Sequence, residues 1–194
     1  MIAYIEGKLT FKSPATVHMD VQGLGYEVQI SLNTFSRIRD LDRCRLFTFL
    51  HIKEDAHTLY GFFDQAEKSV FLQLISVSGV GASTARMMLS SLQPEEIQAA
   101  ILQENERTLE SIKGIGSKTA RRLILELKDK FMRQKDENQI SGLPNNTMQG
   151  DALNALIALG ISRSAADSAV QKVLKGSPPF HGLEELIKQA LKNL

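Results

Sequence analysis

The sequence predicts a multidomain protein of the α+β class, on three observations. The first 63 of its 194 residues alternate like short strands, a glycine-containing phrase occurs twice in the middle, and a polar stretch separates that middle from a helical tail. The expected regions are a small β-domain over residues 1–63, an all-helical domain over 64–133, a flexible linker over 134–150 and a bundle of three helices over 151–194. A chain of this length holds one large domain or two to three small ones.

The β-domain is read from IAYIEGKLTF, TVHMDV, YEVQIS, RLFTFLHI and TLYGFF, which are short and rich in β-branched or aromatic residues. Val17, Met19 and Val21, then Tyr26, Val28 and Ile30, keep a period of two. QGLGY places glycines between the second and third runs, a hairpin signal. Five short strands predict a small barrel or sandwich, and five is the strand count of the oligonucleotide-binding (OB) barrel.

At Asp64 the period changes to helical. Asp64 suits an N-cap, Glu67 three residues on completes a capping-box pattern, and Val70, Phe71, Leu74 and Ile75 form an apolar stripe. Pro94 suits a first helical position, with Glu95 and Glu96 behind it at the helix's positive end. From there to about Arg133 the chain reads as short helices with tight turns. QKDENQISGLPNNTMQG is polar and aperiodic, which predicts the linker. Three helices follow: DALNALIALG ending at Gly160, a second from Ser162 to Gly176, and GLEELIKQALKNL after Pro178 and Pro179. So small a block buries little surface and is marginal alone, as docking modules often are. Leu153, Leu156, Ile157 and Leu159 are expected in its core.

Composition narrows the function. No run approaches the ~20 apolar residues that span a bilayer, and Glu6 and Lys8 come too early for a signal peptide. Cys44 is a single cysteine, and His18, His51, His57 and His181 are scattered without cysteine partners, so no metal site is expected. These features predict a cytoplasmic protein without a membrane partner. Net charge is only +1, yet eight basic residues lie between Lys113 and Lys135, opposed within that stretch by Glu126 and Asp129 alone.

The duplicated phrase carries the chemistry. SVSGVGASTARMML and SIKGIGSKTARRLI share Gly-x-Gly, a short polar step, Thr-Ala-Arg and an apolar run, with Gly79/Gly81 and Gly114/Gly116 separated by 35 residues. A helix, a Gly-x-Gly turn and a second helix leave backbone N–H groups facing outward, and glycine lets a ligand approach closely. The second helix adds unpaired amides and its positive dipole end, so the turn is an anion pocket that fits a phosphate. Lys118, Arg121 and Arg122 stand where they could add charge-assisted contacts. A single such turn is most simply a C-cap glycine joining packed helices. Two copies, related by a rough two-fold, can grip both backbones across one groove, and such contacts carry no base code.

Other phosphate motifs fail. GIGSKT is similar to the end of a Walker A loop, but Ser117 replaces the glycine before Lys118, and Ile112 the earlier one. A dinucleotide fingerprint needs a third glycine where Thr84 and Thr119 stand. No Ser-His-Asp set or acid pair indicates a catalytic site.

The opening MIAYIEGKL, GLGYEV, KEDAHTLYGF, the two glycine turns and the tethered three-helix tail resemble, in that order and over essentially the whole chain, the RuvA family of bacterial Holliday junction branch migration subunits. The resemblance implies an OB-fold barrel at the junction centre and a tandem helix-hairpin-helix domain on the arms. It also implies a C-terminal domain, residues 151–194, that binds the hexameric ATPase RuvB, and contact with the RuvC resolvase. It implies a homotetramer, alone or paired into an octamer, that holds a four-way DNA junction open and planar during recombination, DNA damage repair and the SOS response. No cofactor is expected in this chain, since ATP and Mg²⁺ are used by RuvB.

The DNA-binding residues so implied are Gly79, Gly81, Ser83, Arg86, Gly114, Gly116, Lys118, Thr119 and Arg122, with Glu54 and Asp55 as an acidic pin that separates strands at the crossover. The first hairpin departs from the family pattern: Ala82-Ser83 replaces Pro-Lys after GVG, and Arg86, one turn on, is the candidate to compensate. Two other classes compete: a helix-hairpin-helix repair enzyme, glycosylase or nuclease, using Lys128, Asp129 or Lys130, and an OB-fold RNA-binding accessory factor.

Overall fold

The computed structural model describes residues 1–140, 148–176 and 182–193. It forms two compact units, 1–134 and 135–194.

In the first unit, β1 (Tyr4–Lys12), β2 (Thr16–Val21), β3 (Leu24–Ile30), β4 (Arg43–Ile52) and β5 (His57–Phe62) close a barrel in the order β1-β2-β3-β5-β4. Barrel, not sandwich, is therefore the outcome, with the OB strand count. All pairings are antiparallel except β3 with β5, where Gln29 faces Tyr60. Gln22 and Gly23 both have positive φ at the β2–β3 turn, which suits a two-residue hairpin. Alternation sends Ile5, Leu9, Val17, Met19, Val28, Ile30, Leu46 and Leu59 inward, all buried.

One element was not foreseen: α1 (Leu32–Ile38), between β3 and β4. Ser31, read as the end of a strand, is its N-cap and accepts from the Thr34 N–H. Ile38 plugs the barrel core, and Lys12 donates to the Arg39 and Leu41 carbonyls at 2.7 and 3.0 Å beyond the helix end.

The helical part comprises α2 (Gln65–Ile75), α3 (Ala82–Ser91), α4 (Pro94–Leu102), α5 (Glu106–Glu110) and α6 (Ser117–Ile140). Asp64 caps α2 as expected. The capping box is not completed, because Glu67 turns inward. Its carboxylate accepts from Ser31 Oγ, from Thr34 Oγ1 at 2.6 Å and from the Phe63 N–H at 3.4 Å. The signal was in the spacing: Glu67 lies on the same helical stripe as Val70, Phe71 and Leu74. Phe71 sits against Phe49, Tyr60 and Phe62 with ring centroids at 5.6, 5.3 and 4.8 Å, joining the helical core to the barrel wall.

Helix α6 overruns the expected boundary at 133. Gln134–Ile140 is polar but contains no glycine or proline, so the helix continues to Ile140. The rest of the expected linker is outside the described residues as far as 147, and α7 (Met148–Ala158) begins before 151.

The second unit contains α7, α8 (Arg163–Gly176) and α9 (Leu183–Lys192). Gly160, at φ +90°, closes α7. Ala152, Leu156, Ala166, Ala169, Val170, Leu186 and Ala190 form its core, with Leu153 half-buried against it. Ile157 and Leu159 are 37% and 64% exposed, which corrects their expected core placement. Pro178, Pro179 and His181 lie outside the described residues.

Candidate nucleic-acid interface

The two phrases fold into the same loop twice. In the first, Ser76 ends α2, the Val77 N–H donates to Leu74 O at 3.1 Å and the Val80 N–H to Val77 O at 3.1 Å. In the second, Ser111 ends α5, the Ile112 N–H donates to Leu109 O at 3.2 Å and the Ile115 N–H to Ile112 O at 3.0 Å. The following helices open alike, with Ala85 N–H to Gly81 O and Ala120 N–H to Gly116 O, both 2.9 Å. Val77, Val80, Ile112 and Ile115 are each at most 5% exposed, so two apolar residues root each loop in the helical core.

This rooting turns the glycines outward. Gly79 and Gly114 have φ of +93° and +95°, each at the third position of a turn of the type II kind. A Cβ built on any of Gly79, Gly81, Gly114 or Gly116 meets no atom within 4 Å. The space in front of these backbones is open, and protein packing does not explain the absence of side chains at Gly81 and Gly116. Gly81 is the N-cap of α3 and offers no side-chain acceptor, so the helix's leading amides are uncapped. A serine or aspartate cap would have filled the place an anion can take.

The expected site side chains divide into three groups. Ser83 and Lys118 are exposed, Thr119 is half-buried, and among the described residues none of the three has a side-chain bond. Arg122 reaches from α6 to the first loop: its Nη1 donates to Ser78 O at 3.1 Å and its Nε lies 3.4 Å from Glu126. One loop is thereby strapped to the helix of the other, a role that sequence reading missed. Arg86 turns away from the loops, and its Nη1 donates to Ala15 O and Gln29 Oε1 on the barrel at 3.0 and 2.6 Å.

The basic stretch is more neutralised than its own sequence indicates. Arg121 pairs with Glu106 at 3.0 Å and Lys128 with Glu104, acids supplied by α5 and the segment before it. Lys130 donates to Ser76 Oγ at 3.3 Å. Lys113 and Lys118, beside the second loop, remain without such partners among the described residues, and the side chains of Arg133 and Lys135 are outside them.

Glu54 and Asp55 stand at the tip of the β4–β5 hairpin, which the Lys53 N–H closes onto Ala56 O at 2.9 Å. Both are exposed and unpaired among the described residues. They sit on the barrel side of the unit, on an element other than the loops.

Of the residues named for a repair enzyme, Lys128 and Lys130 have partners. Burial pushes the Cys44 thiol up to about 11, which keeps it protonated at neutral pH. Among the described residues no group of three or more histidine, cysteine, aspartate or glutamate side chains is placed to hold a metal ion. No described helix is long and apolar enough to cross a membrane.

Comparison with known proteins agrees with this arrangement. Residues 1–61 match the family model for the RuvA N terminal domain, 71–129 the SAM-like helix-hairpin-helix tandem, and 147–194 the RuvA C-terminal domain. Proteins named Holliday junction branch migration complex subunit RuvA are similar along their whole length. That of Cytophaga hutchinsonii is 51% identical, with 99% of each chain covered. Those of Christiangramia forsetii and Flavobacterium psychrophilum are 48% and 49% identical, with both chains covered completely. Twin glycine loops behind a five-stranded barrel, and similarity of this extent, lead to one statement: the chain belongs to the RuvA family.

Proposed function

We propose that this protein is the non-catalytic DNA-binding subunit of a Holliday junction branch migration complex, acting in recombination and DNA repair. The observation that carries the reading is the pair of matching loops whose glycines have open space where side chains would stand, with no side-chain cap on the leading amides of α3. Main-chain donors of this kind fit phosphate oxygens, and phosphates are the same whatever the base sequence.

Each loop takes one backbone of a duplex arm. Gly79, Gly81 and Ser83 serve the first strand; Gly114, Gly116, Lys118 and Thr119 serve the second. Lys118 adds a free cation, and Arg122 holds the two loops at a fixed separation. Glu54 and Asp55 lie at the crossover, where carboxylates repel phosphates and favour strand separation. The chain acts as a homotetramer, alone or paired as an octamer, because a four-way junction presents four equivalent arms. Residues 151–194 dock RuvB, which supplies ATP and Mg²⁺ chemistry, and RuvC meets the same assembly. The exposed Ile157 and Leu159 are apolar groups available to such a partner.

Native mass measurement with and without a synthetic four-way junction tests this. The expected result is a tetrameric or octameric complex on the junction, formed equally with scrambled arm sequences. A monomer on duplex, a preference for structured RNA, or cleavage of junction, nicked or abasic DNA in Mg²⁺ contradicts it.

A further inference from the structure

We propose that Arg86 is a positioning residue that fixes the first hairpin against the barrel and so sets the preference for a four-way junction over linear duplex. The inference rests on the function proposed above. Glycine loops grip any sugar–phosphate backbone. A junction differs from a duplex in the direction its arms leave the centre. Selectivity therefore depends on how the gripping loops are held relative to the part that meets the centre.

Arg86 is placed to control that relation. Its Nη1 donates to Ala15 O, between β1 and β2, at 3.0 Å and to Gln29 Oε1, on β3, at 2.6 Å. The other polar ties of α3 lie at its far end. Ser90 Oγ accepts from the Leu32 N–H at 3.1 Å, and Asn33 Nδ2 donates to Leu89 O and Leu92 O at 2.6 and 2.9 Å. Beside the apolar seat of Ala85, Met88 and Leu89 in the helical core, these polar ties to the barrel hold only the end of α3 away from the glycine loop. Arg86 adds a second tie about one turn nearer the glycine loop. With Ser83 uncharged, the first hairpin depends on placement rather than on a cation of its own.

Gln29→Met removes one acceptor without changing charge, Arg86→Met removes the donor and its charge, and Arg86→Lys keeps the charge. Each variant, after a melting curve to verify folding, is titrated against a labelled four-way junction and a linear duplex with the same arm sequence at one salt concentration. Gln29→Met is expected to lower the junction-to-duplex affinity ratio about tenfold, the scale of one charge-assisted hydrogen bond, and Arg86→Met, which loses both bonds, by at least as much. Duplex affinity of Gln29→Met stays at the wild-type value, and Arg86→Lys recovers part of the ratio. An unchanged ratio in Gln29→Met overturns the proposal, and equal weakening of both substrates by Arg86→Met then makes Arg86 a phosphate contact. A wild-type protein with no junction preference overturns the proposed function itself, an outcome read on the unaltered chain.

Discussion

Within each loop the two glycines have different tasks. Gly79 and Gly114 hold a positive φ that an L side chain adopts only under strain, so Gly114→Ala is expected to lower stability by about 1–2 kcal/mol in chemical denaturation. Lys118 is the exposed cation beside the second loop. Lys118→Ala should weaken junction and duplex binding alike and reduce the salt slope by roughly one per engaged site; an unchanged slope removes it from the phosphate contacts. Glu67 belongs to stability rather than binding. Burial, the largest influence, raises its pKa, against the opposing hydrogen bonds from Ser31, Thr34 and Phe63. The folded chain thus holds this proton more tightly than the unfolded one. Its contribution favours folding below the ordinary carboxylate range and is lost as pH rises through the raised folded value. Glu67→Gln should therefore gain stability relative to wild type as pH rises above the ordinary carboxylate range, measured as the difference between the two denaturation curves. Glu67→Ala leaves the two hydroxyls without their acceptor and should cost about 2–3 kcal/mol. The glycines were legible in the sequence because a repeated spacing survives any packing. The distant partners of Arg86, Arg122 and Glu67 were not, since those bonds join residues at least 33 positions apart.

The elements were legible where apolar periodicity was strong. All five strands and the stripe of α2 could be read to within about two residues of their bounds, since alternation and the 3.6-residue period leave direct marks. Helix α1 escaped because seven residues carry hardly two turns of pattern, and its cap Ser31 sits at the end of a strand. The end of α6 escaped for the opposite reason. A polar helix needs no apolar face to continue, only freedom from breakers, and the first glycine beyond it is Gly142. The bundle of α7, α8 and α9 has its own core. Removing residues 148–194 should leave junction affinity unchanged in gel-shift titrations and abolish stimulation of RuvB; loss of junction binding instead places the tail within the clamp.

At the scale of the whole molecule, barrel and hairpins divide the labour. In the proposed function the hairpins supply contacts blind to base identity, and the barrel carries the acidic turn. Replacing Glu54 by Gln together with Asp55 by Asn removes repulsion at the crossover, so junction affinity should be retained or increased while unpairing at the centre, reported by a fluorescent base analogue, declines. A collapse of affinity makes those carboxylates structural. The order of the regions could be read from the sequence, because each keeps its own composition and period. How many copies assemble on one junction could not, since that depends on surfaces facing another chain.

The most direct test of the account uses the double variant Gly81→Ala with Gly116→Ala. Neither glycine has a positive φ, and neither Cβ meets an atom of the protein within 4 Å, so the fold tolerates both methyl groups at the modest expense of altered N-caps. If main-chain amides at these loops hold phosphates, the methyl groups stand where the DNA backbone must come. Junction affinity is then expected to fall by at least about tenfold at constant salt, with the melting temperature nearly unchanged. Wild-type affinity in the folded double variant contradicts the central claim.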